Sequence, residues 1–249
     1  MATDQPLVYL ILGAAGSDRR ALVLDLIADG LEEGNQPAVL ISGRDAPAAA
    51  DDKLPRLERW SWADGVISAS IPAGATHIFF VTDGRSNPVD QVEAFHPWLA
   101  QSGCELARVF CVVNCKFAEG HHALLAWYDA CVHFSDVVLL NHREGVANKW
   151  MSDFQNRFKH QFIPCLFEFV KDGHVKNPAV VLDPVARRLS HLFDDEVDWV
   201  VTGGLDEDEA EGDEEVEAAP EVDPYIARNF GGRREKEIVD IAKLLPPLA

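Results

Sequence analysis

The stretch LVYLILGAAGSDRRALVLDLIADGLEEG, residues 7 to 34, decides the fold. LVYLIL (Leu7 to Leu12) is an unbroken apolar run, the pattern of a strand buried on both faces in a parallel sheet. GAAG makes a turn, and from Ala21 the segment ALVLDLIADGL has helical spacing that stops near Gly34. A strand, a glycine turn and a helix in that order aim backbone N–H groups and a helix N-terminus at one point, the arrangement that holds phosphate.

Reading outward, the same alternation continues. PAVLIS (Pro37 to Ser42) predicts a second strand, and the Ala/Asp/Pro-rich stretch from Gly43 to Pro55 a loop. WADGVISAS and THIFFVTDG predict strands; PVDQVEAFHPWLAQSG predicts a helix that opens on Pro88 and closes at Gly103. ELARVFCVVN, DVVLLN (Asp136 to Asn141) and PCLFEFV read as strands, HHALLAWYDACVHF and ANKWMSDFQNRFKHQF as helices. Strands alternating with helices predict an α/β protein with a doubly wound, mainly parallel sheet.

The 249 residues carry a formal net charge of -19, distributed unevenly. Eleven acids and no Lys or Arg lie between Asp206 and Asp223, a composition too charged to fold alone. We therefore expect three parts: an α/β domain over 1–203, a disordered acidic linker over 204–223, and a docking segment over 224–249. In the last part Ile238, Ile241, Ala242 and Leu245 share one face of a short helix. An acidic surface repels phosphate backbones and excludes non-specific binding to nucleic acid or anionic membrane. No apolar run approaches the roughly 20 residues of a membrane span. The five cysteines, an odd number set mostly in apolar runs, read as reduced thiols. With an N-terminus (MATDQP) that lacks a basic region, these features predict a cytoplasmic protein.

Compared with the phosphate-loop pattern GxxxxGK[ST], the turn GAAGSDRR keeps Gly13 and then departs. Gly16 and Ser17 lie within it. Asp18 stands where the last glycine belongs, bringing a carboxylate beside the phosphate, and two unit charges about 4 Å apart cost ~4 kcal/mol at an effective dielectric near 20. Arg19 replaces the lysine with a planar fork. Arg20 replaces the hydroxyl that would hold magnesium. The two arginines either rebuild anion binding in another geometry or simply solvate a helix start.

With these residues in view, the chain resembles the CobW-type GTPases, relatives of the UreG and HypB metallocentre-assembly proteins, from about Leu7 to Val175. THIFFVTDGRSNPVDQVEAF resembles the family's strand E-[ST]-[ST]-G-L-A-D-P-x-P, with Thr82, Gly84 and Pro88 in register and Val81 at the acidic position. RVFCVVNCKF is similar to the next strand, Asn114 standing for an aspartate. SDVVLLNHRE resembles A-D-x-[IV]-[VIL]-x-N-K-x-D, the guanine-reading strand: Asn141 is retained, His142 replaces lysine and Glu144 replaces aspartate. The resemblance implies a phosphate-loop NTPase-like fold, with Asp83 near any magnesium. The family's Cys-x-Cys-Cys metal motif has no counterpart, since Ala21 to Thr76 contains no cysteine.

Cys111 and Cys115, in or at the end of one predicted strand, would lie about 13 Å apart at strand rise and cannot share a zinc ion unless the strand breaks. His121 and His122 read as a solvated helix start or a weak metal or anion contact, and Trp60, Trp62 and Trp98 as core or partner contacts. No acid–base or nucleophilic catalyst and no metal site stands out. The resulting expectation is a pseudo-GTPase scaffold for an unknown protein partner, needing no cofactor. Its rival is an active GTPase or ATPase using GTP and Mg²⁺, with Arg19 on the phosphates and Asp83 on the metal. A third reading is metal handling without nucleotide, through the histidines or the acidic segment.

Overall fold

The computed structural model describes residues 5–194 and 222–245. The chain runs β1 (Leu7–Leu12), α1 (Arg19–Gly30), β2 (Pro37–Ser42), β3 (Glu58–Ala63), β4 (Val66–Ser68), β5 (His77–Val81) and α2 (Pro88–Ser102). It continues through β6 (Glu105–Asn114), α3 (Cys115–Gly120), α4 (Ala123–His133), β7 (Val137–Asn141), α5 (Asn148–Lys159), β8 (Leu166–Lys171), β9 (His174–Val175) and α6 (Pro178–Leu182).

The strands form one nine-stranded sheet in the order β4-β3-β2-β5-β1-β6-β7-β8-β9. It is parallel except at its edges, where β4 and β9 each fold back antiparallel. Strand β1 sits near the middle, between β5 and β6, and is apolar at every position because both of its faces are covered. Val8, Leu10 and Leu12 join one core cluster with Val92 and Phe95 of α2, Trp127 of α4 and Phe154 of α5. Tyr9 and Ile11 join a second cluster with Leu22 and Leu26 of α1 and Leu182 of α6. The two-residue period of a strand thus becomes two cores on opposite sides of the sheet.

Three sequence expectations change. WADGVISAS is a hairpin rather than one strand: Asp64 at φ 50° and Gly65 at φ 77° turn β3 into β4, a two-residue D-G turn with both centres left-handed. Cys115 opens α3 instead of ending a strand, because Asn114 caps that helix, its side chain accepting from Phe117 N–H at 2.9 Å. The short C-terminal helix does not form among residues 222–245. Ile241 and Leu245 are instead buried in the first core cluster with no helix around them. Asp240 accepts from Ala242 N–H at 2.9 Å, a local turn that competes with helical bonding, and an isolated helix of this length is marginal in water. The predicted acidic linker lies outside the described residues except for 222 and 223.

The segment from 222 onward is fastened by charge as well as by apolar burial. Arg234 donates to Asp90 at 2.6 Å and to Glu93 at 2.5 Å on α2. Asp223 accepts from buried Ser190 at 2.5 Å and pairs with buried His133 at 2.8 Å. Burial opposes ionisation of Asp223, but the hydrogen bonds from His133, Ser190 and the Tyr225 N–H outweigh it and hold the carboxyl below its ordinary value of 3.8. A lowered carboxyl contributes stability that is present above the ordinary value and is lost as the pH falls through the lowered one. Asp223→Asn should therefore reduce the urea midpoint at neutral pH, and its gap to wild type should close on acidification below pH 3.8. A gap that stays constant through that range would show that ionised Asp223 does not hold the segment down.

Candidate functional site

The turn between β1 and α1 lies at the carboxyl edge of the sheet, where α/β proteins bind ligands. Here it is packed against the ends of the neighbouring strands. The Ala15 N–H donates to Gly84 O at 2.9 Å. Asn114 Nδ2 donates to Gly16 O at 2.8 Å, Asn141 Nδ2 to Ser17 O at 3.2 Å, and Ser17 Oγ to Ala14 O at 2.8 Å.

Asp18 occupies the position before α1 with φ 62° and ψ 30° and makes no side-chain cap. The backbone keeps the left-handed shape that suits a glycine, although the glycine is gone. Its carboxylate turns sideways, and Oδ2 lies 2.8 Å from Nε2 of His142, itself left-handed at φ 51°.

The two arginines turn in opposite directions, each onto acceptors of the protein itself. Arg19 is 7% exposed and folds beneath the turn, where Nη1 donates to Thr82 O and Nη2 to Asp83 O at 3.2 Å. Burial pulls its guanidinium below the ordinary arginine value, against the attraction of Asp45 and Asp83. Arg20 reaches the opposite way, to Asp51 Oδ1 at 2.6 Å, Asp45 Oδ2 at 3.2 Å and Ala46 O at 3.1 Å. That clamps the 43–55 loop over the start of α1. Burial raises Asp45, with Arg19 and Arg20 opposing. A helix start carrying two arginines is thus used to close protein on protein.

Asp83 is buried, and its carboxylate serves its own turn. Oδ1 accepts from Arg85 N–H at 2.8 Å and Ser86 N–H at 2.9 Å, Oδ2 from Ser86 Oγ at 2.6 Å. Gly84 is wedged against the loop at φ 66°, where an added Cβ would fall 2.5 Å from Gly13 O, 2.6 Å from Arg19 Nη2 and 2.7 Å from Ala15 N. Gly13 is equally confined, with the Val112 carbonyl 2.3 Å from where its Cβ would be. Residues 13–20, 82–84 and 141–142 therefore converge. Glu144 does not join them: it is exposed and makes no hydrogen bond or ion pair among the described residues. Sequence reasoning missed Asp45, Asp51 and Asn114 as partners of this loop; the first two lie in the one acidic loop that follows the paired arginines, and that complementarity was the available signal.

The space left beside the turn is a cleft of about 390 Å³ whose lining includes Asp18, Arg20, Asp45 and Arg85. Elsewhere Trp60 is core, its Nε1 donating to Val81 O at 2.9 Å, while Trp98 donates to Ala69 O at 3.3 Å. Cys111, Cys115, Cys131 and Cys165 are buried, and burial pushes the Cys115 and Cys165 thiols up to about 12, as for inert core thiols. His121 contacts Phe117 O through Nδ1 at 3.0 Å.

Fold and site together define an α/β protein with helices on both faces of a mainly parallel sheet and a phosphate-loop-like turn that its own side chains fill. No protein-family model matches the sequence, and no curated protein matches it. Solved structures similar to it include two of the YjiA GTPase. One is a Zn(II)-bound triple mutant of the YjiA GTPase, at 14% identity and TM-score 0.43, covering 74% of this chain and 67% of that one. The other is the Zn(II)-bound YjiA GTPase from E. coli, at 13% identity and TM-score 0.40 with the same coverage.

Two substitutions in this turn should separate sharply. Gly84→Ala meets the backbone of Gly13 and Ala15 and the Arg19 guanidinium in a left-handed conformation and should lose at least ~2 kcal/mol in urea unfolding. Asp18→Gly, at a position already left-handed with no cap to lose, should stay within ~1 kcal/mol of wild type. Equal losses would show that Gly84 does not wedge against the loop.

Proposed function

We propose that this protein is a pseudo-GTPase: a phosphate-loop-like fold that has given up nucleotide chemistry and acts as a scaffold for a protein partner. The observation that supports this reading is Arg19. At the position of the phosphate-binding lysine it is buried on the Thr82 and Asp83 carbonyls, so its charge is spent inside the protein. Two further features agree. The adjoining cleft carries the Asp18 and Asp45 carboxylates beside Arg19, Arg20 and Arg85, and these two acids would repel a phosphate. Arg20, at the magnesium-ligand position, is neutralised by Asp45 and Asp51.

The rival reading, a working GTPase of CobW type, requires Arg19 to leave a buried site and Asp83 to abandon three hydrogen bonds for magnesium. Both changes come before any binding energy is gained, and each is unfavourable in a low-dielectric surrounding.

Calorimetric titration of the full chain with a non-hydrolysable GTP analogue and Mg²⁺ should give no saturable binding up to about 1 mM. Replacing residues 18 to 20 with the standard loop residues (Asp18→Gly, Arg19→Lys, Arg20→Thr) should raise affinity if the fold still accommodates a phosphate. Micromolar binding by wild type, weakened in Arg19→Ala, would overturn the scaffold reading.

A further inference from the structure

A second cluster of charged side chains lies away from the turn, where the later half of α1 meets the edge strand β9. Asp25 and Asp29 are four apart on α1 and so share a face of the helix. His174 comes from β9 beside them. One ligand atom from each of the three lies within 4.8 Å of the other two. Asp25 is 8% exposed, and its Oδ2 is fixed by the Val175 N–H at 2.8 Å while Oδ1 meets Nδ1 of His174 at 2.5 Å. Asp29 and His174 are open to solvent.

Electrostatics argues independently for a cation here. Carboxylates four apart on a helix repel each other. Asp29 lies in the last turn of α1, at the negative end of the helix dipole, and that turn contains no basic residue. No Lys or Arg among the described residues lies within ion-pair distance of Asp25 or Asp29. Among the described residues, the His174 ring and the Val175 N–H are the groups that meet the Asp25 carboxylate.

We propose that Asp25, Asp29 and His174 bind a divalent first-row transition-metal ion. The class follows from the donors. Two carboxylates and one imidazole suit zinc or manganese, whereas calcium needs six to eight oxygens and magnesium prefers oxygen and water. Ligand atoms about 2.0 to 2.2 Å from an ion lie roughly 3 to 3.5 Å apart, so the Asp25–His174 pair need open by less than about 1 Å. The Val175 N–H is the outer partner that orients the Asp25 carboxylate, as metal-bound carboxylates require. Water completes the coordination on the exposed side. The site is independent of the fate of the nucleotide turn.

The test is calorimetric titration of tag-free full-length protein with Zn²⁺ in excess Mg²⁺, which masks weak hard-cation binding by the acidic segment. Wild type should bind one equivalent with micromolar affinity and gain thermal stability from it. Asp29→Asn and His174→Gln, both at exposed positions that leave the fold intact, should each weaken binding by about tenfold or more and abolish the thermal gain. His191→Gln removes another exposed histidine–aspartate pair, with Asp194, and should change neither. Absence of binding, or equal binding in wild type and all three variants, would overturn the site and leave Asp25–His174 as a plain hydrogen-bonded pair.

Discussion

A guanidinium taken out of water must find acceptors, and the environment of Arg19 is arranged around that requirement. Its fork lies between the strand end at Thr82 and the turn at Asp83, with Asp45 close enough to favour the charge. Breaking a buried charge from its partners costs ~3–5 kcal/mol, a large part of the stability of a domain of this size. The turn, the carbonyl ends of β5 and the 43–55 loop are consequently one unit. Each supplies an acceptor or a counter-charge that the others depend on, so a ligand competing for the same space would have to replace all of them.

The sheet makes this possible. In a parallel sheet covered on both faces, strand ends converge at one edge and their loops meet there whatever their function. Val8, Leu10 and Leu12 anchor β1 to one core and Tyr9 and Ile11 to the other, so the start of the turn is held in position from both sides. The same edge that presents a phosphate site in an open turn brings Asn114, Asn141 and Gly84 against the loop in this one. What differs is the identity and direction of a few side chains, Asp18, Arg19 and Arg20 among them.

That difference explains what the sequence disclosed. Apolar runs such as LVYLIL and DVVLLN announce buried parallel strands, because nothing else tolerates continuous hydrophobicity at that length. The Asp64–Gly65 hairpin was also legible, since D-G is a two-residue turn signal; the flanking residues obscured it because β3 is only partly buried and alternates poorly. The C-terminal helix was misread for another reason. Ile238, Ile241 and Leu245 have helical spacing, but the same residues reach the core from an irregular chain once the Asp240 turn and the Arg234 ion pairs fix its path. At the site, the positions of Gly13 to Arg20, Asp83 and Asn141 could be read from spacing. Whether Arg19 faces outward to an anion or inward to two carbonyls depends on acceptors sixty residues away, and local pattern carries no information about them.

The turn from Asp83 to Asn87 is the part of this edge that a nucleotide switch would need to move, and segments that move in such switches come from the less stable parts of a structure. Here it is constrained from three directions. Arg19 holds the Asp83 carbonyl from below, the Asp83 carboxylate binds the Arg85 and Ser86 backbone from within, and Asn87 caps α2 through Val89 N–H at 3.0 Å. On the outer side, Ile238 to Ala242 of the C-terminal segment face the turn across a cavity of about 580 Å³. That segment is itself tied to α2 by Arg234 and to α4 by Asp223. A two-state element requires two arrangements of nearly equal energy, and each of these bonds lowers one arrangement alone. The accumulated bias favours a fixed surface over a moving one.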